Sequence, residues 1–308
     1  MKAGIVCLPA LFFGGCVIDF GENDRYKEDF HKTFEVQPGA TLSVENFNGA
    51  IEISGGEGNT VDVSGTKYAN RREALNEIKV DMTASSGSVR IRTEHPDFWN
   101  GGGGGVRYAI RVPKKMLLDR IQSSNGLIQV DDVEGSARLR TSNGTIRVSD
   151  VKGELNADTS NGRIEIRGLD GNASLHTSNG TIDAEASHGR FEARTTNGKI
   201  DARLSDPAAD STVRLETSNG HVELRLDGKN VPDVHVRSSN SGIVLYLPAS
   251  ANARVQAHTT GGSIRSDFAG VSSERESRHS QDAEGTIGTG GHILDLETRN
   301  GSIEILKR

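Results

Sequence analysis

Cysteine is nearly absent from the sequence, which has two such residues, Cys7 and Cys16, in 308 positions. No cysteine follows Cys16, so the rest of the chain cannot be held together by disulfides. Large aromatic residues are also scarce, with 1 Trp, 4 Tyr and 9 Phe against 37 Gly. This composition disfavours a core of packed helices and favours many short strands with frequent corners.

Long apolar runs and an excess of positive charge are lacking as well. No stretch reaches the roughly 18 apolar residues that would span a bilayer as a helix. The formal net charge is -6, which gives no basic footprint of the kind that nucleic-acid binding requires. We therefore expect no membrane-spanning helix and no nucleic-acid partner.

What the sequence does contain is a repeat, visible in the spacing of its glycines. Glycine recurs every nine residues from Gly126 to Gly198, and every second glycine follows an asparagine, so the full repeat has 18 residues. Between the glycines, apolar and polar residues alternate, as in Ile146 to Val148, which is typical of a strand with one buried face. Each repeat therefore holds two short strands and two corners.

More than one fold is compatible with this pattern. Asn-Gly between alternating segments is a hairpin signal, so an antiparallel meander, a barrel or a propeller remains an alternative. Only a stacked coil, however, requires every turn to have the same length. The sequence thus predicts an all-β fold, a single-domain β-solenoid (parallel β-helix) of 18-residue coils with Asn-Gly corners, over residues 34–308.

The Asn-Gly corners form the main candidate feature of the repeat. Glycine, and to a lesser degree asparagine, tolerates positive φ, and stacked asparagines can form an amide ladder. We predict a structural corner ladder, although a partner-binding stripe is the alternative. Its members are Asn125, Gly126, Asn143, Gly144, Asn161, Gly162, Asn179, Gly180, Asn197, Gly198, Asn219 and Gly220.

Catalytic chemistry has little support in the sequence. There is no G-x-S-x-G, P-loop or H-E-x-x-H motif, and the nine histidines lack metal-ligand spacing. We expect no enzymatic activity, no metal and no cofactor. A glycan-active β-helix enzyme stays open as an alternative, because acidic residues gather near the second corner, where Asp is also a favoured turn residue. These are Asp131, Asp132, Glu134, Asp150 and Asp170.

The first residues, MKAGIVCLPALFFGGC, have the order of a secretion signal: one cation, an apolar run and small residues before Cys16. They resemble a bacterial lipoprotein signal, with Phe13 where leucine is usual. The resemblance implies that residues 1–15 are removed and that Cys16 is lipidated and anchors the chain in a membrane. The absence of Asp directly after the cysteine implies the outer membrane in a Gram-negative cell. Residues 16–33 are predicted to be a polar tether.

Three other segments break the repeat. Loop insertions are predicted near residues 93–109 and 270–291, and the first of them concentrates the aromatic residues Phe98, Trp99 and Tyr108. An aromatic loop tip can dock on a partner, or it can fold back on the rod as a cap. A short helix is expected within NRREALNEI, with Asn70 and Glu73 at capping-box spacing.

The repeated TSNGTI and TSNGRI units and the closing GTGGHILDLETRNGSIEI resemble the bacterial putative-adhesin domain family, a β-solenoid family of unknown function. The resemblance runs from about Phe34 to Arg308, and the N-terminus resembles lipoprotein members. It implies a non-enzymatic cell-envelope lipoprotein that presents its surface to an unknown envelope protein or glycan, for binding or adhesion-like scaffolding. An envelope-stress sensing accessory role is the alternative that some family members suggest.

Overall fold

The computed structural model of the protein describes residues 25–94, 103–228, 230–275 and 280–308. It is nearly all-β, with 64% of residues in strands and 2% in helix. A 13-stranded sheet, here sheet A, and a 14-stranded sheet, here sheet B, run along the molecule. The predicted β-solenoid is confirmed.

The secondary-structure elements alternate between the two sheets through most of the chain. The N-terminal elements are β1 (Tyr26–Glu35), β2 (Thr41–Asn48), β3 (Ile51–Gly56), β4 (Thr60–Ala69), α1 (Arg72–Glu77), β5 (Lys79–Ser85), β6 (Ser88–Glu94), β7 (Gly104–Pro113), β8 (Leu117–Asn125) and β9 (Ile128–Asp131). The regular coils contain β10 (Ala137–Thr141), β11 (Ile146–Ser149), β12 (Leu155–Thr159), β13 (Ile164–Asp170), β14 (Ala173–Thr177), β15 (Ile182–Ser187), β16 (Phe191–Thr195), β17 (Ile200–Ser205), β18 (Thr212–Thr217), β19 (Val222–Asp227), β20 (Asp233–Ser238) and β21 (Ile243–Leu247). The C-terminal elements are β22 (Ala253–Thr259), β23 (Ile264–Ser266), β24 (Val271–Arg275), β25 (Gln281–Ile287), β26 (His292–Thr298) and β27 (Ile303–Lys307).

Each regular coil lies on the previous one in parallel register. Ile146 pairs with Ile164, one repeat later, and Ile164 pairs with Ile182. These isoleucines are fully buried, while the alternate residues of each strand face outwards. Burying one such side chain contributes about 1.5–3 kcal/mol, so a thin core is stabilised by repetition. The parallel pairing excludes the antiparallel meander for these coils.

At both ends the order in space departs from the order in sequence. Strand β26 lies between β20 and β22, and β27 lies between β21 and β23, so the closing residues are inserted into the stack. At the other end, β2 lies between β8 and β6, and β3 lies between β9 and β7. At each end, therefore, strands that are distant along the chain pair with one another.

Antiparallel strands finish the two ends. In sheet A, β4 pairs with β7 and β1 pairs with β4, and in sheet B β5 pairs with β6. At the C-terminal end, β25 pairs with β22 and with β24. The insertion predicted near 270–291 is thus largely a hairpin of the sheet. It was hidden because most of its residues are polar and lie on the outside.

Two further boundaries need correction. The tether predicted over residues 16–33 overlaps β1, a ten-residue strand. Its charged residues are exposed to solvent while Phe30 and Phe34 pack against the core. The high charge of the segment suggested a tether, although the segment forms a strand. The loop predicted over 93–109 overlaps β7 from Gly104 onwards.

Helix α1 connects β4 to β5 and is six residues long. Its N-cap is Arg71 without a side-chain cap, so the expected capping box from Asn70 is wrong. Asn70 instead continues the end of β4, where its backbone N–H donates to the carbonyl of Gly103. Within the residues that the structure describes, no helix has the length and apolarity to cross a membrane.

Candidate functional site

The inner side of the T-S-N-G corner is formed by a column of buried threonines. Thr159 accepts a hydrogen bond from the backbone N–H of Gly162 at 3.2 Å and donates to the carbonyl of Gly144, in the preceding coil, at 3.1 Å. The same pair of bonds recurs at Thr177. Each threonine thus closes its own corner and ties it to its neighbour, which satisfies a buried hydroxyl.

The glycine of each corner is required for a different reason than the sequence indicates. A β-carbon on Gly162 would lie 1.6 Å from the carbonyl oxygen of Gly144, so only glycine fits. The described Asn-Gly corners from Gly144 to Gly198 do not need positive φ. Positive φ occurs instead at the second corner, at Asp132 (56°) and Asp150 (53°). The sequence suggested left-handed backbone at the Asn-Gly corner, whereas these non-glycine residues place it at the second corner.

The asparagines form a continuous ladder on the outside of the corner. In each step an Nδ2 donates to the Oδ1 of the preceding asparagine, at 2.7 Å from Asn143 to Asn125 and 2.8 Å from Asn179 to Asn161. Two asparagines absent from the predicted set, Asn240 and Asn300, extend the ladder. Both belong to irregular or displaced coils, although the tripeptides Ser-Asn-Ser and Arg-Asn-Gly mark them in the sequence.

A furrow runs along sheet B beside this corner. Because the threonine column points inwards, the surface dips between the outward side chains that precede it and those that follow it. Over the last coils this dip has a volume of about 420 Å³. This corner furrow is lined by Arg194, Thr195, Thr196, Glu216, Thr217, Ser218, Arg237, Ser238, Ser239, His258, Thr260, Glu297, Thr298 and Arg299.

Charge alternates from coil to coil along the corner furrow. Arg194 pairs with Glu216 at 2.8 Å, and Arg237 pairs with Glu297 at 3.6 Å. His258 follows next, at 2.6 Å from Asp282. The first four side chains each stand three residues before a ladder asparagine, a signal that sequence alignment of the repeats could have revealed. The insertion of β26 could not be foreseen, and it places Glu297 between Arg237 and His258.

The same furrow reappears at the N-terminal end of sheet B. There a groove of about 430 Å³ is lined by Glu45, Asn46, Phe47, Arg92, Thr93, Glu94 and Gln122. Glu45 accepts charged hydrogen bonds or ion pairs from Arg120 at 3.3 Å and from Arg92 at 3.8 Å. Both stretches occupy the same position of the coil, directly before the corner asparagines.

Sheet A carries a row of in-register acids: Glu165, Asp183, Asp201 and Glu223. Lys199 bridges two of them, at 2.8 Å from Asp201 and 3.1 Å from Glu223. Burial raises the pKa of Asp201, but the hydrogen bond and charge of Lys199, with Arg225, outweigh burial and lower it overall. At Glu165 burial also raises the pKa, but the hydrogen bonds and charges of Arg147 and Arg163 outweigh burial and lower the pKa overall.

The acids predicted near the second corner are mostly engaged with neighbours. Asp132 pairs with Lys114 at 2.9 Å, Glu134 with Lys152 at 3.6 Å, and Asp170 with His188 at 3.1 Å. Asp131 accepts from the Gln129 amide at 2.7 Å. Their positions therefore follow from turn conformation and from pairing between coils.

The predicted aromatic docking site is not formed as expected. Tyr108 is buried, 2% exposed, because it lies in β7 with its ring edge-on to Phe30 at 6.0 Å. Its hydroxyl is 2.6 Å from that of Thr93, and burial raises its pKa to about 12. Phe98 and Trp99 lie outside the described residues, as does Cys16.

A metal centre was not expected from the sequence. In the described parts of the chain, no group of three or more His, Cys, Asp or Glu residues is placed to hold a metal ion. The corner furrow offers hydroxyls and paired charges, a set suited to hydrogen bonding with a polar ligand.

The chain was compared with curated proteins and with solved structures. No curated protein matches it significantly. A "putative cell adhesion protein" from Clostridium sporogenes ATCC 15579 is 12% identical, with a TM-score of 0.24 over 91% of this chain and 100% of that one. A "putative adhesin" from Bacteroides fragilis NCTC 9343 is 9% identical, with a TM-score of 0.37 over 91% and 97%. Another from Parabacteroides merdae ATCC 43184 is 9% identical, with a TM-score of 0.44 over 91% and 96%.

The chain also matches a protein family over most of its length. Residues 40–306 match the family described as Toastrack DUF4097, which includes every regular coil and both inserted ends. The resemblance that the TSNG units indicated is thereby confirmed. The chain belongs to the Toastrack DUF4097 family.

Proposed function

We propose that the protein is a non-enzymatic, lipid-anchored envelope protein that binds a hydroxyl-rich envelope glycan along the corner furrow. The observation that carries the proposal is the furrow itself, in which charged and hydroxyl groups recur coil after coil. Neighbouring strands are about 4.8 Å apart, so a polymer lying along the furrow meets serine or threonine hydroxyls at every step and an arginine or histidine at every second step.

The chemistry of the lining favours a glycan over a protein. Protein interfaces depend on buried aromatic or aliphatic anchors at their centre. The lining of the corner furrow contains only Arg, Glu, His, Ser and Thr side chains. Such groups exchange hydrogen bonds with sugar hydroxyls, carboxylates and amides.

Binding without turnover is supported by the acids of the molecule. A glycosidase needs a general acid whose pKa is raised. The two acids of the furrow, Glu216 and Glu297, are instead paired with Arg194 at 2.8 Å and with Arg237 at 3.6 Å. A neighbouring arginine favours the ionised carboxylate over a protonated acid.

The binding test uses envelope polysaccharide and peptidoglycan from a bacterial cell, incubated with the purified full-length chain. Arg237→Ala should weaken co-sedimentation by about tenfold, since a charge-assisted hydrogen bond contributes roughly 1.5–3 kcal/mol. Arg167→Ala is the matched control, because Arg167 is an exposed arginine of sheet A, away from the furrow. Equal binding by both variants would contradict the furrow, and a shortened glycan would show an enzyme.

The anchor is tested separately at Cys16. The full chain is expressed in a bacterium with a palmitate analogue and compared with Cys16→Ala. Label and membrane association should both be lost in the variant. A soluble, unlabelled wild type would contradict the lipid anchor without bearing on the furrow.

A further inference from the structure

The two ends of the solenoid are closed differently. At the C-terminal end Phe268 and Ile287 are buried, 6% and 3% exposed, and of the partly buried apolar residues that pack against the described core only Val271 lies there. The edge strands there, β23 and β24, have three and five residues. At the N-terminal end, the apolar residues Phe30, Phe34, Val80 and Met82 are only partly buried. The N-terminal end of the core is therefore incompletely covered by the described residues.

The edges of this end are long as well. Strand β1 has ten residues and pairs with β4 on one side, and β5 has seven and pairs with β6 on one side. Among the described strands, none pairs with their outer edges. A cleft of about 370 Å³ opens between them, lined by Glu28, Phe30, His31, Lys32, Lys67, Val80, Asp81 and Met82. Long open edges of this kind favour pairing with another strand.

We propose that a second copy of this chain covers the N-terminal end, with β1 of each copy pairing antiparallel about Phe30. In this register Phe30 faces itself, Tyr26 faces Phe34, Glu28 faces Lys32 and Asp29 faces His31. All three aromatic residues of the strand then meet aromatic residues. Both charged pairs have opposite sign when the histidine is protonated.

The side-chain positions within one copy agree with this register. Tyr26, Phe30 and Phe34 are partly buried on the core side of β1. Glu28 already receives Lys67 at 3.1 Å from the β4 side. Its outer side remains available to Lys32 of the partner subunit, so the carboxylate would lie between two ammonium groups. Opposite charges directly across two strands stabilise their pairing.

Self-complementarity distinguishes a second copy from other occupants. If the partner were a foreign peptide, that peptide would have to complement β1, but β1 would not have to complement itself. Self-complementarity is expected only when the partner is a second copy. The sequence YKEDFHKTFE complements itself at every aromatic position and at Glu28 and Lys32. Pairing through a two-fold axis also closes the interface, so it yields a dimer and not a fibre.

The test measures the mass of the full 308-residue chain by sedimentation equilibrium, with Cys16→Ala in all samples to remove lipid. One copy has a mass of 32.9 kDa, and we expect twice that value. Glu28→Lys and Lys32→Glu should each weaken association about tenfold, because two symmetry-related attractive pairs become repulsive. Arg167→Glu, away from the edge, is the matched control and should leave the mass unchanged.

Two combinations make the test specific. The double variant Glu28→Lys with Lys32→Glu should regain the wild-type mass. An equal mixture of the two single variants should form mixed dimers, captured through different C-terminal tags. Lys32→Glu is the cleaner single variant, because Lys32 contacts the Phe34 ring and takes part in none of the ion pairs of the described residues. A monomeric wild type, as expected if another segment of the chain covers β1, overturns the proposal. So does a double variant that stays monomeric while the wild type dimerises.

Discussion

Gly162 lies directly against the carbonyl of Gly144 in the preceding coil, so a β-carbon on Gly162 would be 1.6 Å from that oxygen. The obstacle is backbone on both sides and cannot rotate away. We predict that Gly162→Ala destabilises the protein by at least about 3 kcal/mol, at the upper end of overpacking effects. Urea unfolding followed by circular dichroism measures the loss.

The matched control for this substitution is Gly87→Ala, in the turn between β5 and β6. A β-carbon there meets nothing within 4 Å, so the change in unfolding free energy should stay within about 0.5 kcal/mol. If Gly162→Ala were as stable as Gly87→Ala, the close stacking of the Asn-Gly corners would be wrong.

From the amide ladder we predict that the loss of stability depends on the position of the substituted asparagine. Asn179→Ala removes two hydrogen bonds, of 2.8 Å to Asn161 and 2.7 Å from Asn197. Asn125→Ala, at the end of the ladder, removes the single described ladder bond, of 2.7 Å, from Asn143. At about 0.5–1.5 kcal/mol for each bond, the central substitution should cost roughly twice as much. Equal losses in urea unfolding would mean that the ladder bonds contribute little and that solvent replaces them.

Most of the fold could be predicted because the repeat constrains it. Equal spacing of Gly126 to Gly198 and period-two alternation together require stacked coils, and the structure has them. The ends could not be predicted in the same way. Whether Glu297 lies next to Arg237 depends on the insertion of β26, a long-range pairing that no local pattern specifies. The edge strand β1 was missed because an edge strand keeps its charged residues in solvent.

The candidate site was only partly foreseen, for a related reason. The corner residues are conspicuous in the sequence, but their polar groups are largely used inside the molecule, as at Thr159. The furrow residues vary in type from coil to coil, alternating between Arg194 and Glu216, so they do not stand out as a motif. Tyr108 was misassigned because aromatic residues beside a glycine-rich stretch suggest a loop, whereas Gly104 already begins a strand.

The inserted strand β26 is held partly by Asp233 of β20. The backbone N–H of Ile293 donates to this carboxylate at 2.9 Å, and the ring of His292 is 3.1 Å away. These contacts hold the pKa of Asp233 below its ordinary value. A lowered pKa contributes stability above the unfolded pKa, near 3.9, and that stability is lost as pH falls through the folded value.

We therefore predict that Asp233→Asn, which keeps an acceptor for Ile293, is slightly less stable than wild type at pH 7. Because the carboxylate is half exposed, the difference should be about 0.5 kcal/mol. It should shrink as pH falls through the lowered pKa of the folded state, because the wild-type carboxylate is then protonated as well. Urea midpoints measured from pH 7 to pH 2 follow this change. A difference that grows in acid would contradict the role given to the carboxylate charge.

The buried hydroxyl of Tyr108 predicts how the stability of the folded protein changes at alkaline pH. Burial raises its pKa from 10.0 to about 12 against the opposing hydrogen bond to Thr93, so the folded state resists deprotonation that the unfolded chain undergoes. This stability is complete below pH 10 and is lost as pH rises towards 12, by roughly 3 kcal/mol. Tyr108→Phe should begin about 1 kcal/mol less stable at pH 8, because Thr93 loses its partner. It should then lose less stability than wild type between pH 10 and 12. Parallel loss in both proteins, measured by urea unfolding across this range, would show that Tyr108 is not shielded from solvent as the structure places it.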